Sequence, residues 1–159
     1  MTKKSEGNVS KNGTVKVTAS SIYRQNNAEN AVDLHNNKNH FQTDNFNNSW
    51  LKFDFGERKI QLTSYSIRSR DDANIHHPKN WVVEGSNTDS DDWKILDSHN
   101  DDLSLRALDT IQTFKISNKS ESNESFRFIR IRQTGLNTSN CYYLAFSAIE
   151  FFGTLFDLN

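Results

Sequence analysis

From residue 15 onwards, apolar residues come in short runs that alternate with polar positions, and clusters rich in Asn, Asp and Ser separate the runs. Alternation with a period of two places every second side chain on one face, which is the pattern of a half-buried β-strand. The segment WLKFDF, for example, puts Leu51, Phe53 and Phe55 on one face. The pattern predicts about eight strands, at residues 15–20, 50–55, 62–69, 81–86, 93–97, 111–116, 126–132 and 144–152.

Helical periodicity is confined to residues 28–34, and a single turn of that length is too short to stand alone in water. The segment SNTDSDD consists of residues that favour turns, so strands 81–86 and 93–97 are predicted to form a hairpin. Residues 1–14 are polar and basic without periodicity, which predicts a disordered or extended arm. Residues 15–159 are then predicted to form a single all-β sandwich domain.

Charge and cysteine content narrow the function classes. The chain has 19 basic and 20 acidic residues, which are interspersed, so it lacks the one-sided basic field that nucleic-acid binding needs. No stretch approaches the roughly 20 apolar residues of a membrane span. The single cysteine, Cys141, cannot close an intramolecular disulfide, and no apolar signal segment follows the N-terminus. These features predict an intracellular, cytoplasmic protein.

Catalytic motifs are missing from the sequence. We find no GxSxG nucleophile elbow, no Walker loop and no glycine-rich dinucleotide turn, and the chain has only six glycines. The five histidines do not show the HExxH spacing of a zinc site. The sequence therefore predicts no catalytic residues, no required cofactor and no enzymatic activity.

Several longer motifs resemble one family. They are TASS at 18–21, WLKFDFGERKI at 50–60, TSYSIRS at 63–69, PKNWVVEGSNTDSDDWKILD at 78–97, FRFIRIRQTG at 126–135 and YLAFSAIEFFGTL at 143–155. In this order they resemble the discoidin, or F5/8 type C, domains, and their wording is most similar to that of intracellular versions, which are thought to hold protein partners. The resemblance implies a jelly-roll β-sandwich of the galactose-binding-like class, whose members bind glycans, lipids or proteins through loops at one rim.

The resemblance places three loops at that rim, at residues 22–30, 44–49 and 70–77, and residues 136–142 are predicted to join them. The candidate ligand-binding residues on these loops are Tyr23, Arg24, Phe46, Arg70, His76 and Asn140. Aromatic faces combined with arginine and histidine donors are typical of protein and sugar contacts alike. For Tyr23 and Phe46 the alternative is that they cover the end of the sandwich.

Lectin-like members of the family hold a calcium ion between one loop and the glutamate of the last strand. The resemblance implies Asp33, Asn36, Asn39 and Glu150 as its oxygen ligands here. This chain has Leu34 where lectin-like members often have a glycine, and asparagines in polar loops often simply cap the backbone. Two hypotheses therefore stand for this loop: it binds a calcium ion, or it holds no metal.

Alternation along residues 126–132 places two arginines and two phenylalanines on one face: Phe126, Phe128, Arg130 and Arg132. A partly buried arginine needs an acidic partner, since an unpaired buried charge costs several kcal/mol. We predict that Glu84 is that partner.

Together these observations predict a non-enzymatic recognition module, and foremost an intracellular protein–protein interaction domain or subunit of a larger assembly. The alternative is a carbohydrate-binding module with a structural calcium ion. Peripheral membrane binding ranks last, because Ile22, Tyr23 and Phe46 supply few apolar loop tips and a net charge of −1 gives no attraction to anionic lipid.

Overall fold

The structure is a computed structural model, and it describes residues 14–32 and 39–158. The predicted arm, apart from Thr14, and the predicted calcium ligands Asp33 and Asn36 lie outside the described residues. The strands are β1 (Lys16–Ala19), β2 (Phe41–Gln42), β3 (Trp50–Asp54), β4 (Arg58–Arg68), β5 (Trp81–Ser86), β6 (Lys94–His99), β7 (Ile111–Lys115), β8 (Phe128–Gln133), β9 (Ala145–Phe146) and β10 (Ala148–Asp157). A 3₁₀-helix, Ala28–Val32, occupies the place of the predicted helical turn.

The strands form antiparallel sheets. One has five strands in the order β1-β3-β8-β5-β6, one has three in the order β10-β4-β7, and β2 pairs with β9. The hairpin predicted from the SNTDSDD turn is confirmed, since β5 pairs with β6. Each predicted strand has a counterpart, although the last one divides into β9 and β10. In the part of the chain that the structure describes, no helix has the length and apolar character needed to cross a bilayer.

The core lies between the two larger sheets. In β3, Leu51 and Phe53 point inward and pair with Ile131 and Ile129 of β8. All four are buried, as is Ile67 on the opposing strand β4. Each such side chain stabilises the fold by about 1.5–3 kcal/mol through removal of apolar surface from water. The apolar side chains that alternate along the sequence therefore form the core that holds the two sheets together.

Glu84 lies on the outer face of the five-stranded sheet between two arginines, as predicted. The Glu84 carboxylate accepts hydrogen bonds from Arg130 Nε at 2.6 Å and from the Arg132 guanidinium at 2.8 Å. Burial alone would raise the pKa of Glu84, but its hydrogen bonds to Arg132 and Arg130 lower it overall. Glu84 is therefore ionised and holds β5 to β8 through its side chain as well as through the backbone.

The predicted position of Phe126 is wrong. Phe126 does not share the outer face with Phe128 but belongs to the core. The cause is a change of sheet, because Phe126 bridges Ile60 at the edge of β4 whereas Phe128 pairs with Asp54 of β3. The chain crosses from one sheet to the other between the two residues, and the alternation breaks there.

A network of polar and aromatic side chains connects the two sheets inside the sandwich. The Tyr65 hydroxyl donates to Asp97 Oδ2 at 2.6 Å and accepts from Trp81 Nε1 at 3.0 Å. The His99 ring stacks on Trp81 with 4.2 Å between centroids. Its Nε2 lies 2.8 Å from Asp97 Oδ2, and its Nδ1 lies 2.6 Å from Asp102 Oδ2. Each polar group in this network thus has a partner within the fold.

The pairing of β4 with β10 shows which residues lie at each end of the sandwich. They pair from Arg68 with Ala148 to Arg58 with Asp157. Their register shifts after Phe152, where a Cβ atom at Gly153 would collide with the carbonyl oxygen of Gln61. Because Arg68 leads into the loop at residues 70–77, Arg58 marks the end opposite that loop.

Candidate functional site

The four loops predicted for the rim lie together at one end of the sandwich. Side chains of three loops accept hydrogen bonds from the backbone of another loop. These bonds are Asp44 N to Ser21 Oγ (2.9 Å), Tyr142 N to Asn45 Oδ1 (2.7 Å) and His76 N to Ser139 Oγ (2.9 Å). The backbone bond from Tyr23 N to Gln42 O, at 2.9 Å, adds the strand β2 to the same framework. The loops therefore hold one another in place.

Each of these loops contains one non-glycine residue with a positive φ. They are Arg24 (56°), Asn48 (59°), His76 (60°) and Asn140 (56°). The left-handed region costs about 1 kcal/mol or more for a residue with a Cβ atom, and Asn, Asp and His tolerate it best. Arg24 has no such advantage. The positive φ values make a sharp turn in each of the four loops. At Arg24, the turn is made by a residue type that is unfavourable in this conformation.

A cleft of about 370 Å³ opens between the loops. Its lining residues are Tyr23, Arg24, Asn26, His40, Gln42, Arg70, Asp72, Ile75, His76 and Tyr143. Four of the six predicted ligand-binding residues are among them. Phe46 and Asn140 are not, and the Phe46 side chain projects from its loop with 66% of its surface exposed.

One wall of the cleft is a row of aromatic rings in contact, with a guanidinium at one end. The Arg24 guanidinium lies 5.0 Å from the Tyr23 ring centroid. Tyr23 meets Tyr143 edge-on with centroids 5.4 Å apart, and Tyr143 meets the His76 ring at 4.8 Å. Such contacts stabilise each pair by about 0.5–1.5 kcal/mol beyond area burial. The wall therefore offers a fixed aromatic surface with a cation at one end.

The floor of the cleft is a ring of four polar side chains. The buried Arg70 donates to Asp72 from Nε at 3.0 Å and from NH2 at 2.9 Å, and its NH1 donates to Gln42 Oε1 at 3.3 Å. Arginine can only donate, so the Gln42 atom is the oxygen, and His40 Nε2, at 3.2 Å from it, must also donate. His40 Nδ1 lies 3.4 Å from Asp72 Oδ2, and this contact becomes an ion pair only when His40 is protonated.

The electrostatics of the cleft follow from this ring. The hydrogen bond from Arg70 holds the pKa of Asp72 below its usual value. Burial, and then the positive charge of Arg70, lower the pKa values of His40 and His76 from 6.5. Near neutral pH both histidines are therefore largely uncharged, and Asp72 neutralises Arg70. No carboxylate in residues 14–32 and 39–158 forms an ion pair with Arg24.

Sequence reasoning missed six lining residues: Asn26, His40, Gln42, Asp72, Ile75 and Tyr143. The spacing of Arg70 and Asp72 could have indicated an ion pair two residues apart. His40 and Tyr143 gave no such signal, because the pairing of β2 with β9 brings them to the cleft from distant parts of the chain.

The structure describes two of the four predicted calcium ligands, Asn39 and Glu150, and both are exposed. Asp33 and Asn36 lie outside the described residues, so the calcium site stays a prediction. Within residues 14–32 and 39–158 there is no group of three or more His, Cys, Asp or Glu side chains that could hold a metal ion. Asn39 and Glu150 offer the oxygen ligands that calcium prefers.

Solved structures of carbohydrate-binding modules have the same fold as this chain. The CBM32-5 module of GH89 from Clostridium perfringens, in complex with GalNAc-β-1,3-galactose, superposes with a TM-score of 0.68 at 12% identity, covering 89% of this chain and 96% of that one. The CBM32 module of AlyQ, in complex with 4,5-unsaturated mannuronic acid, gives 0.66 at 18% identity, covering 87% and 94%. These likenesses confirm the predicted galactose-binding-like jelly-roll sandwich.

Among curated proteins, the E3 ubiquitin-protein ligase Ufd4 of Drosophila melanogaster is 32% identical over 106 residues, which is 66% of this chain and 4% of that protein. The E3 ubiquitin-protein ligase hecd-1 of Caenorhabditis elegans is 33% identical over 97 residues, which is 60% of this chain and 4% of that protein. The chain thus spans a small part of these relatives.

The family comparison covers most of the chain. The F5/8 type C domain matches residues 16–147, which include β1 to β9 and the four rim loops. Modules of this kind bind ligands, often carbohydrates. With the sandwich and the rim cleft in place, the sequence motifs and the fold agree, and the chain belongs to the F5/8 type C domain family.

Proposed function

We propose that this domain is a non-enzymatic, intracellular protein-binding module that holds a segment of a partner protein in the rim cleft. The observation that carries the proposal is a set of exposed apolar side chains on the same rim loops that enclose a polar floor. Ile75 lines the cleft and is 44% exposed, and Phe46 and Leu136 on the neighbouring loops are 66% and 37% exposed. An apolar contact area around fixed polar groups is typical of protein interfaces.

The polar floor supplies orientation. Because Arg70, Gln42 and His40 are buried and mutually bonded, their positions are set before any ligand arrives. Preorganised groups lose little entropy on binding, so a modest interface can still be selective. The similarity to segments of two E3 ubiquitin-protein ligases supports a role as one module in a larger assembly.

The test is affinity capture from cell extract with matched phenylalanine variants. Phe46→Ser removes an apolar side chain at the rim, whereas Phe156→Ser removes one of similar type, 45% exposed, at the opposite end of β10. We expect Phe46→Ser, and Ile75→Ser likewise, to lose the partner that the wild type retains. Truncating such a contact weakens binding by about 1–2 kcal/mol, or roughly 5- to 30-fold.

The Phe156→Ser variant should retain the partner as well as the wild type does. Equal retention by all four proteins would exclude the rim as the binding surface. Loss in both Phe46→Ser and Phe156→Ser would instead indicate general loss of folding, which thermal unfolding of each variant would show.

Carbohydrate binding is the second candidate, favoured by the wall of Tyr23, Tyr143 and His76 beside the hydrogen-bonding floor. Sugars are held by an aromatic surface combined with converging polar groups. Two neighbours in fold were solved with sugars bound. A glycan array answers this directly, and a saturable signal that Tyr23→Ala abolishes would support it. Thermal unfolding with calcium and with chelator tests the associated metal, because binding to the native state raises stability.

A further inference from the structure

Arg24 is the charged group of the cleft that has no ion-pair partner in the part of the chain that the structure describes. We infer that Arg24 is the specificity-determining residue of the cleft and that it binds the carboxylate of an acidic segment in the partner protein. This inference rests on the proposed protein-binding function and adds the chemistry of the ligand. It follows from the charges in the cleft, the position of the guanidinium and the backbone conformation of Arg24.

The charges of the cleft leave one positive group available. Arg70 gives three hydrogen bonds to Asp72 and Gln42, so its charge is neutralised inside the floor. His40 and His76 are largely uncharged near neutral pH, since burial lowers the pKa of each. Arg24 is exposed and has no ion-pair partner among the described residues. An anionic group on the ligand complements this charge.

The guanidinium is also held in place. It lies over the Tyr23 ring, which itself packs against Tyr143. A guanidinium carries five N–H donors, and those of Arg24 have no acceptor among the described residues, so they can bind a carboxylate with two parallel hydrogen bonds. A lysine would keep the charge but lose this planar geometry.

The backbone of Arg24 gives independent support. Among the described residues, the other five non-glycine positions with positive φ are Asn, Asp or His. Arginine at φ 56° is therefore an unfavourable choice for this turn. Strained backbone conformations concentrate at functional sites, where the side chain provides a benefit other than stability.

An acidic peptide fits this end better than an anionic membrane. The rim loops also carry Asp44 and Asp71, whose negative charges oppose approach to a bilayer of anionic lipid. One carboxylate beside an apolar side chain, by contrast, matches one cation in a cleft that Ile75 also lines. The ligand is thus an acidic residue next to an apolar one within a peptide segment.

The experiment selects a random-peptide phage library on the wild-type domain and on Arg24→Asn. Asparagine tolerates positive φ, so this variant removes the charge without disturbing the turn. Arg58→Gln, at the opposite end of β4, controls for the loss of one positive charge. We expect the wild type and Arg58→Gln to enrich peptides with Asp or Glu beside an apolar residue, and Arg24→Asn to lose that enrichment.

The enriched peptide is then measured by isothermal titration beside its counterpart with Gln or Asn in place of the acid. Either change, in the peptide or at Arg24, should weaken binding about tenfold or more, because each removes a charge-assisted hydrogen bond. Arg24→Lys should fall between the wild type and Arg24→Asn. Affinity should also decrease with salt.

Enrichment of neutral or basic peptides that still need Ile75 would overturn the role of Arg24 and leave the protein-binding function intact. Failure to enrich any peptide above background would contradict the proposed function itself. Arg24-dependent binding to phosphatidylserine vesicles, without binding to acidic peptides, would overturn the peptide assignment. Arg24→Asn should also raise the thermal midpoint of the domain slightly, and a lower midpoint would indicate that Arg24 is retained for stability.

Discussion

His40 and His99 are both mostly buried histidines beside carboxylates, yet their pKa values move in opposite directions. Burial, followed by the charge of Arg70, lowers the pKa of His40, which faces the single carboxylate of Asp72. Burial would also lower the pKa of His99, but hydrogen bonds to two carboxylates, Asp97 and Asp102, raise it overall. The difference lies in the charged groups beside each ring, which are two hydrogen-bonded carboxylates at His99, and Arg70 with Asp72 at His40.

The two surroundings correspond to two tasks. Around His99 every polar neighbour is satisfied by another side chain, so the network stabilises the sandwich. Around His40 the polar side chains of the cleft floor include Asp72, whose side chain is 44% exposed and faces the cleft. A closed network holds strands together, whereas an open one keeps oriented groups available to a ligand.

The largest expected effect comes from removing one carboxylate in each region. Asp97→Ala leaves the buried Tyr65 hydroxyl and His99 without their shared acceptor, and we expect it to destabilise the domain by about 3 kcal/mol. Asp72→Ala should cost less, about 2 kcal/mol, because the Asp72 side chain is 44% exposed and Arg70 keeps its hydrogen bond to Gln42. Urea unfolding of both variants measures the difference, and equal losses would contradict the distinction between a closed and an open network.

A smaller effect is expected from two matched tyrosine changes. Tyr65→Phe deletes a hydroxyl that bonds to both Asp97 and Trp81, so we expect a loss of about 1 kcal/mol. Tyr143→Phe removes a hydroxyl in the cleft and keeps the ring contacts with Tyr23 and His76. Its stability should stay within about 0.5 kcal/mol of the wild type. A larger loss at Tyr143 would mean that the cleft wall also supports the fold.

The smallest effect is a change in the pH dependence of stability. The folded-state pKa of His99 lies above 6.5, so its contribution is complete below that pH and is lost as pH rises through the folded value. The folded-state pKa of His40 lies below 6.5, so its contribution is present above that pH and is lost as pH falls through the folded value.

Urea midpoints measured between about pH 5 and pH 8 test these signs. His99→Gln should flatten the decline on the alkaline side, and His40→Gln should flatten the decline on the acid side. If His99→Gln instead changed only the acid side, the two carboxylates would not control that ring.

Much of the sandwich could be predicted because its information is local. Alternation in WLKFDF and in the EGS strand places the correct residues inward, and Glu84 was recognised as the partner of Arg130 and Arg132. The error at Phe126 has a physical cause, since alternation holds along one strand and the chain there changes sheets.

The cleft could be predicted only in part. Tyr23, Arg24, Arg70 and His76 lie on loops that the family resemblance identified, and they line the cleft. The ring on the floor needs His40 and Gln42, which are about 30 residues away from Arg70 in sequence. Such contacts depend on tertiary packing, which a local pattern does not encode.

The way the rim loops are tied together has a consequence for how such a domain can diverge. The side chains that fasten the loops, Ser21, Asn45 and Ser139, are different from those that line the cleft. In the hydrogen bonds between the loops, Tyr23 and His76 take part through their backbone amides alone, which any residue except proline provides. Lining residues can therefore be exchanged by mutation while the framework stays intact, so related domains can acquire new ligands without passing through unfolded intermediates in evolution.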